Sequence, residues 1–322
     1  MNLNTLCGKV MDGKEVSRQE AEALVHQPLE ALCEAADRIR KHFCGNRFDL
    51  CAIINAKSGK CPENCKFCAQ SSHYQTGAEE YPLLPAPAIA AQVERYGEQG
   101  VLRCSMVTSG RRLTDRELDE VCRAADKIRK AGQLSVCVSV GLLDREQYRR
   151  LKDAGVTRIH NNLETSRRFF PEVCTTHSFD DKIRAVRAAQ AAGLSVCSGG
   201  IVGLGETVED RIDMALTLRD LGIGSVPVNM LNPIPGTPLG ERERLTEEEM
   251  RRIVAVYRFI LPSASIRLAG GRGLLEDKGR SCFMSGANAA ISGDMLTTAG
   301  ITTKTDMEML KELGYEVRLS DE

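Results

Sequence analysis

The sequence predicts an α/β fold, a (β/α)8 barrel of the TIM type with a helical N-terminal extension. Three observations carry this. Eight β-rich runs recur along the 322 residues, and polar, helix-periodic segments separate them. Gly-containing stops ("EQG", "KAGQ", "DAG", "AAG", "DLGIG") close the helices just before the second to sixth runs. Alternating strands and helices build a parallel sheet with helices outside, and eight strands are enough to close it. A doubly wound open sheet is the competing arrangement.

The elements follow in order. "SRQE" (Ser17 to Glu20) has the capping-box form, so a helix follows it, and "EALCEAADRIRKHF" reads as a second amphipathic helix. Residues 1–48 are therefore a helical extension. The β-rich runs are "DLCAIINA" (from 49), "VLRCSMVT" (101), "LSVCVSV" (134), "VTRIHNNL" (156), "LSVCSGGIV" (194), "SVPVNML" (225), "ASIRLAG" (264) and "ANAAISG" (287). They place the barrel at 49–295 and leave 296–322 as a tail packed on it. In such a barrel the chemistry collects at the C-terminal strand ends.

Composition narrows the function. A net charge of −1 and 4% aromatic residues without tryptophan give no basic or stacking surface for nucleic acid. No apolar run is long enough for a membrane span, and "MNLNTLCGKVMDGKEVSRQE" lacks a signal-peptide core, which predicts a cytoplasmic protein. Thirteen cysteines in that compartment are metal ligands, reactive groups or packing residues rather than disulfides.

"SGKCPENCKFCAQSSHY" (58–74) follows the first strand and sets Cys61, Cys65 and Cys68 in a C-x3-C-x2-C spacing. Structural zinc needs four closed ligands, and only His73 lies nearby. An iron–sulfur cluster on three thiolates instead leaves one iron open to a substrate or cofactor.

This spacing, with Phe67 before the last cysteine, resembles the signature of the radical S-adenosylmethionine enzymes. The resemblance implies a 4Fe–4S cluster that binds S-adenosylmethionine at its open iron and cleaves it to a 5′-deoxyadenosyl radical. "TSG" (Thr108, Ser109, Gly110), ending the second strand, resembles the family's contact to the methionine amino group. "GGIVGLGE", with Gly199, Ile201, Gly203 and Glu206, resembles its adenine-supporting motif.

Within that superfamily, "CSGGIVGLGETVEDR", "VPVNML", "GTPL", "RLAGGR" and "CFMSGANAAISGDMLTT" run in the order seen in biotin synthases, over about residues 45–315. The resemblance implies conversion of dethiobiotin to biotin by sulfur insertion between unactivated carbons. An acid or base cannot open such C–H bonds, so a cofactor-derived radical is needed. It also implies an auxiliary iron–sulfur cluster as sulfur source, with Cys137, Cys197 and the catalytic arginine Arg267 among its ligands. A plain carboxylate partner is the alternative for Arg267.

The sequence departs from the family's common form at the second strand. Ser105 stands where a cysteine ligand is expected, and Cys104 is one residue early. Strand side chains alternate faces, so Cys104 is expected to point away, and Cys51 on the neighbouring first strand is the expected replacement. A 2Fe–2S cluster is the family default, and the displaced ligand favours a four-iron cluster. Asn162 and Asn229 are matched to the ureido ring of dethiobiotin, since amides offer both donors and acceptors. Glu164 takes an aspartate's place near the cofactor ribose, and Lys182 falls where an arginine would hold the cofactor. Cys7, Cys33, Cys44, Cys122, Cys174 and Cys282 read as packing or surface thiols. The resemblance implies a homodimer and an electron donor such as flavodoxin or ferredoxin. Another radical enzyme of cofactor maturation, or a non-enzymatic iron–sulfur carrier, are the competing functions.

Overall fold

The computed structural model describes residues 2–132 and 134–319. Its strands are β1 (Arg47–Lys57), β2 (Arg103–Thr108), β3 (Ser135–Ser139), β4 (Arg158–His160), β5 (Ser195–Cys197), β6 (Gly200–Val202), β7 (Ser225–Met230), β8 (Ser265–Leu268), β9 (Ala289–Ser292) and β10 (Glu316–Val317). All neighbours pair in parallel, and β9 returns to β1, so the sheet closes. β5 and β6 are two halves of one stave, which gives eight staves; β10 pairs with the start of β1 outside the ring.

The glycines of the five expected helix stops, Gly100, Gly132, Gly155, Gly193 and Gly222, all carry positive φ. Gln133 of "KAGQ" lies outside the described residues. Two strands are shorter than their sequence runs. β4 stops at His160, and the Asn162 side chain then accepts from Gly199 N–H at 3.1 Å where backbone would otherwise pair. The fifth stave is interrupted at Ser198 and Gly199, opposite Val226 and Pro227, while its register with β7 stays constant across the break. Pro227 has no N–H to give the ladder. A Cβ on Gly199 would also stand 1.9 Å from the Pro227 carbonyl oxygen.

The register sorts the barrel interior into layers, each drawn from alternate staves, as expected when each pair of staves advances the level by two residues. Starting at Cys51, pairing across two staves and stepping up by two gives Cys137, then Cys197, then Arg267, then Cys51 again. These four side chains form one layer. Arg103, Arg158, Ser225 and Ala289 form the layer below it; Ser105, His160, Pro227 and Ile291 form the layer above.

Three helices precede the barrel, Leu3–Met11, Arg18–Val25 and Leu29–Cys44, one more than the sequence patterns indicate. The second and third dock on the helix Glu247–Ile260, where Arg251 pairs with Glu30 at 2.6 Å and Arg252 caps the Val25 and Gln27 carbonyls, and the first packs on the third. The tail folds back as helix Thr303–Glu312 and is tied by a buried Arg272–Asp306 pair at 2.7 Å. Among the described residues, no helix is long and apolar enough to cross a membrane.

Candidate active site

A cavity of about 350 Å³ opens at the C-terminal end of the barrel. Its floor is the layer of Cys51, Cys137, Cys197 and Arg267 with Arg103 and Arg158 beneath; Phe67, Cys68, Ala69 and Gln70 and the 295–298 segment line it as well. Ser105 lines it too, with its buried hydroxyl beside the Cys137 thiol. Cys104 lies instead in the apolar core, 2% exposed.

Charge collects at the floor. Asp49 pairs with Arg267 at 2.9 Å and with Arg158 at 3.6 Å, and the Arg103 charge acts on it as well. Burial opposes ionisation of Asp49, but these three guanidiniums hold its carboxyl well below the usual range. Arg267 also donates to the carbonyls of Asp49 at 2.9 Å and Ala290 at 3.0 Å. The carboxylate partner considered for Arg267 in the sequence is thus present. Three guanidiniums thus gather around one carboxylate at the floor. Burial pushes the Cys51 thiol up to about 11 and, with the neighbouring thiols, Cys137 to about 12. Burial acts on Cys197 too, but a His160 hydrogen bond and the arginine charges bring it down to about 6.

This donor set fits an anionic iron–sulfur cluster. Three buried thiols and a guanidinium stand on one level over positive charge, which compensates thiolates that burial alone would protonate. A single ion does not fit, since no three of their ligand atoms fall within 4.8 Å of one another.

The loop after β1 carries Cys61, Cys65 and Cys68, all partly buried. It is closed by Cys61 N–H to Gln70 O at 3.1 Å and Ser71 Oγ to Glu63 O at 2.7 Å. "TSG" supports its base: Ser109 donates from N to Lys57 O at 2.9 Å and from Oγ to Gly59 O at 2.7 Å, while Thr108 caps the Ser139 carbonyl. Gly110 takes a φ of +114° at the turn. These three residues do not line the cavity.

In "GGIVGLGE", Ile201 faces the cavity. Glu206 instead pins the turn, accepting from Gly203 N at 2.8 Å and Gly205 N at 3.0 Å and pairing with Arg211. Asn162, Glu164 and Asn229 line the cavity wall. Glu164 has a φ of +70° and meets Lys182 at 3.9 Å. Asn229 spends part of its amide on backbone, donating to Gly200 O and accepting from Gly270 N, both at 2.9 Å.

Sequence reading missed Asp49, Arg103, Arg158 and His160, which share the inward face with the named cysteines. Alternation was the available signal, since each lies two residues from an inward position on its own strand. It also missed the cluster of Cys174, His177 and Glu63 beside Cys65, which no local pattern announces.

A closed barrel with three thiolates in the loop after its first strand defines a radical S-adenosylmethionine enzyme, and the Radical SAM superfamily profile matches residues 56–218. The profile of the Biotin and Thiamin Synthesis associated domain matches residues 227–316. The chain is 59% identical to the biotin synthase of Brachyspira hyodysenteriae, over 100% of this chain and 97% of the relative. It is 57% identical to that of Akkermansia muciniphila, over 98% of each. The chain belongs to the biotin synthase family. In fold it is similar to methylornithine synthase (TM-score 0.84, 21% identity, 98% of this chain and 97% of the other). It is also similar to the hydrogenase maturase HydG (TM-score 0.85, 18% identity, 99% and 76%).

Proposed function

We propose that this chain is a biotin synthase that converts dethiobiotin to biotin by radical-driven sulfur insertion. The observation that carries the reading is the level set of Cys51, Cys137, Cys197 and Arg267 at the floor of a cavity roofed by the three-cysteine loop. With a 4Fe–4S cluster and S-adenosylmethionine at the roof, the site has a source of carbon radicals; with an auxiliary cluster at the floor, it has a source of sulfur.

The chain's own residues hold and enclose. Cys61, Cys65 and Cys68 ligate at the roof, and Cys51, Cys137 and Cys197 ligate at the floor. Arg267 is fixed by Asp49 and presents positive charge at the fourth corner of the layer. Asn162 and Asn229 each keep hydrogen-bonding capacity for the ureido ring; Glu164 would meet the cofactor ribose, and Lys182, 3.9 Å from Glu164, would help to hold the cofactor. Phe67, Ile201 and the 295–298 segment exclude water, which protects a carbon radical from side reactions.

The displaced ligand, Cys51 in place of a second-strand cysteine, is the support for a four-iron auxiliary cluster over a two-iron one. A flavodoxin or ferredoxin supplies electrons, and the enzyme works in the cytoplasm as a homodimer; for these, family resemblance is the support. Anaerobic reconstitution followed by assay with dethiobiotin tests the reading. Biotin and 5′-deoxyadenosine are expected together, and Cys65→Ala is expected to abolish both while keeping iron at the floor. Cleavage of S-adenosylmethionine by Cys65→Ala would refute the roof assignment.

A further inference from the structure

Cys174 lies between the roof loop and the helix Phe179–Ala191, and the proposed reaction has no use for it. Its Sγ stands 3.3 Å from His177 Nδ1, and the same ring nitrogen touches the Glu63 carboxylate. It is also hydrogen-bonded to Cys65. The ligand atoms of Cys65, Cys174 and His177 all lie within 4.8 Å of one another, the one such trio of potential ligands among the described residues.

The surroundings hold this trio in place. Asn64 Oδ1 accepts from the Thr175 and Thr176 backbone N–H groups at 3.0 and 3.2 Å, which fixes the turn that carries Cys174. The His177 side chain is 5% exposed, and its Nε2 is buried without a partner, so the pairing of the ring is all on the sulfur and carboxylate side. Zinc bound tetrahedrally to sulfur and nitrogen sets its donors about 3.5–3.8 Å apart, within reach of this cluster by small side-chain rotations.

We propose that, before the roof cluster is assembled, Cys65, Cys174 and His177 bind one zinc-type divalent ion, with the fourth position left to solvent; Glu63, now on the His177 ring nitrogen, gives that nitrogen up to the ion. Binding releases thiol protons to solvent and changes no oxidation state. Cys65 then belongs to two mutually exclusive sites, so the ion competes with cluster assembly; this second statement rests on Cys65 being a roof ligand.

The test uses the full-length, cluster-free chain under anaerobic conditions. Zinc affinity is measured against a chromophoric chelator, with cobalt(II) reporting thiolate ligation by its charge-transfer absorption. Cys174→Ser and His177→Gln are each expected to weaken the site by about tenfold or more, a loss of about 1.4 kcal/mol, while Cys61→Ala leaves it intact. In reconstitution with zinc present, wild-type chain is expected to take up less roof iron than Cys174→Ser. An affinity that falls with Cys61→Ala and not with Cys174→Ser would place the ion on the three motif thiols and overturn the proposal. Zinc binding that depends on Cys174 without any effect on iron uptake would keep the ion site and overturn its competition with cluster assembly, while loss of S-adenosylmethionine cleavage in Cys65→Ala separately tests the roof assignment.

Discussion

Cys104 and Ser105 are adjacent in sequence and face opposite environments: Cys104 is in the apolar core, Ser105 in the cavity. Alternation along a strand makes that difference readable, because a one-residue shift changes the face. We therefore expect Cys104→Ala to keep full auxiliary iron and biotin formation at a modest packing cost. Cys51→Ala should lose auxiliary iron and sulfur insertion yet still cleave S-adenosylmethionine. Iron counts on the two variants check this, and the reverse pattern would mean that Cys104 is the ligand. The partner of Arg267 was not readable in the same way. Asp49 lies 218 residues away, and which residues meet across a barrel depends on its stagger, which one strand does not encode. Asn229 carries a similar lesson, since its residue type announced hydrogen bonding but not the share already spent on Gly200 and Gly270.

Among the elements, those with strong local chemistry were legible. The Ser17 capping box and the amphipathic helix Leu29–Cys44 are examples, and so are the β-rich runs. The helix Leu3–Met11 was not, because it is nine residues long and carries Gly8 in its middle. The break in the fifth stave also needed the partner strand, since its cause is Pro227. The tail's position rests on Arg272 and Asp306, each about 2% exposed in the side chain. Removing one member of a buried pair leaves the other charge uncompensated, at a cost of about 3–5 kcal/mol. Asp306→Ala is therefore expected to lower the unfolding midpoint and to speed proteolytic cutting near residues 296–302. An unchanged midpoint and digestion pattern would show that the tail is held by other contacts.

The whole molecule joins these parts through buried carboxylates whose ionisation depends on folding. Burial works against Asp49 and Asp210, but arginine and hydroxyl partners hold both below their ordinary values, Asp210 at about 2. A carboxyl lowered in the folded state adds stability above its unfolded pKa, about 3.9, and loses it as pH falls toward the folded value. The urea midpoint is thus expected to be flat near neutrality and to drop between about pH 4 and pH 2. The Asp49→Asn variant should show a shallower drop, and equal slopes would remove Asp49 from the acid response.

The Asp49–Arg267 pair has a mechanical consequence. The floor layer draws on chain positions 51, 137, 197 and 267, so a cluster held by the proposed ligands would tie four distant stretches of backbone like a hoop. A barrel that surrenders sulfur from that hoop must keep its shape while the hoop is slack. Asp49 sits on β1 and Arg267 on β8, with β9 between them, so their pair spans the seam where the ring closes. The seam is thus fastened by protein alone, whatever the proposed floor cluster holds.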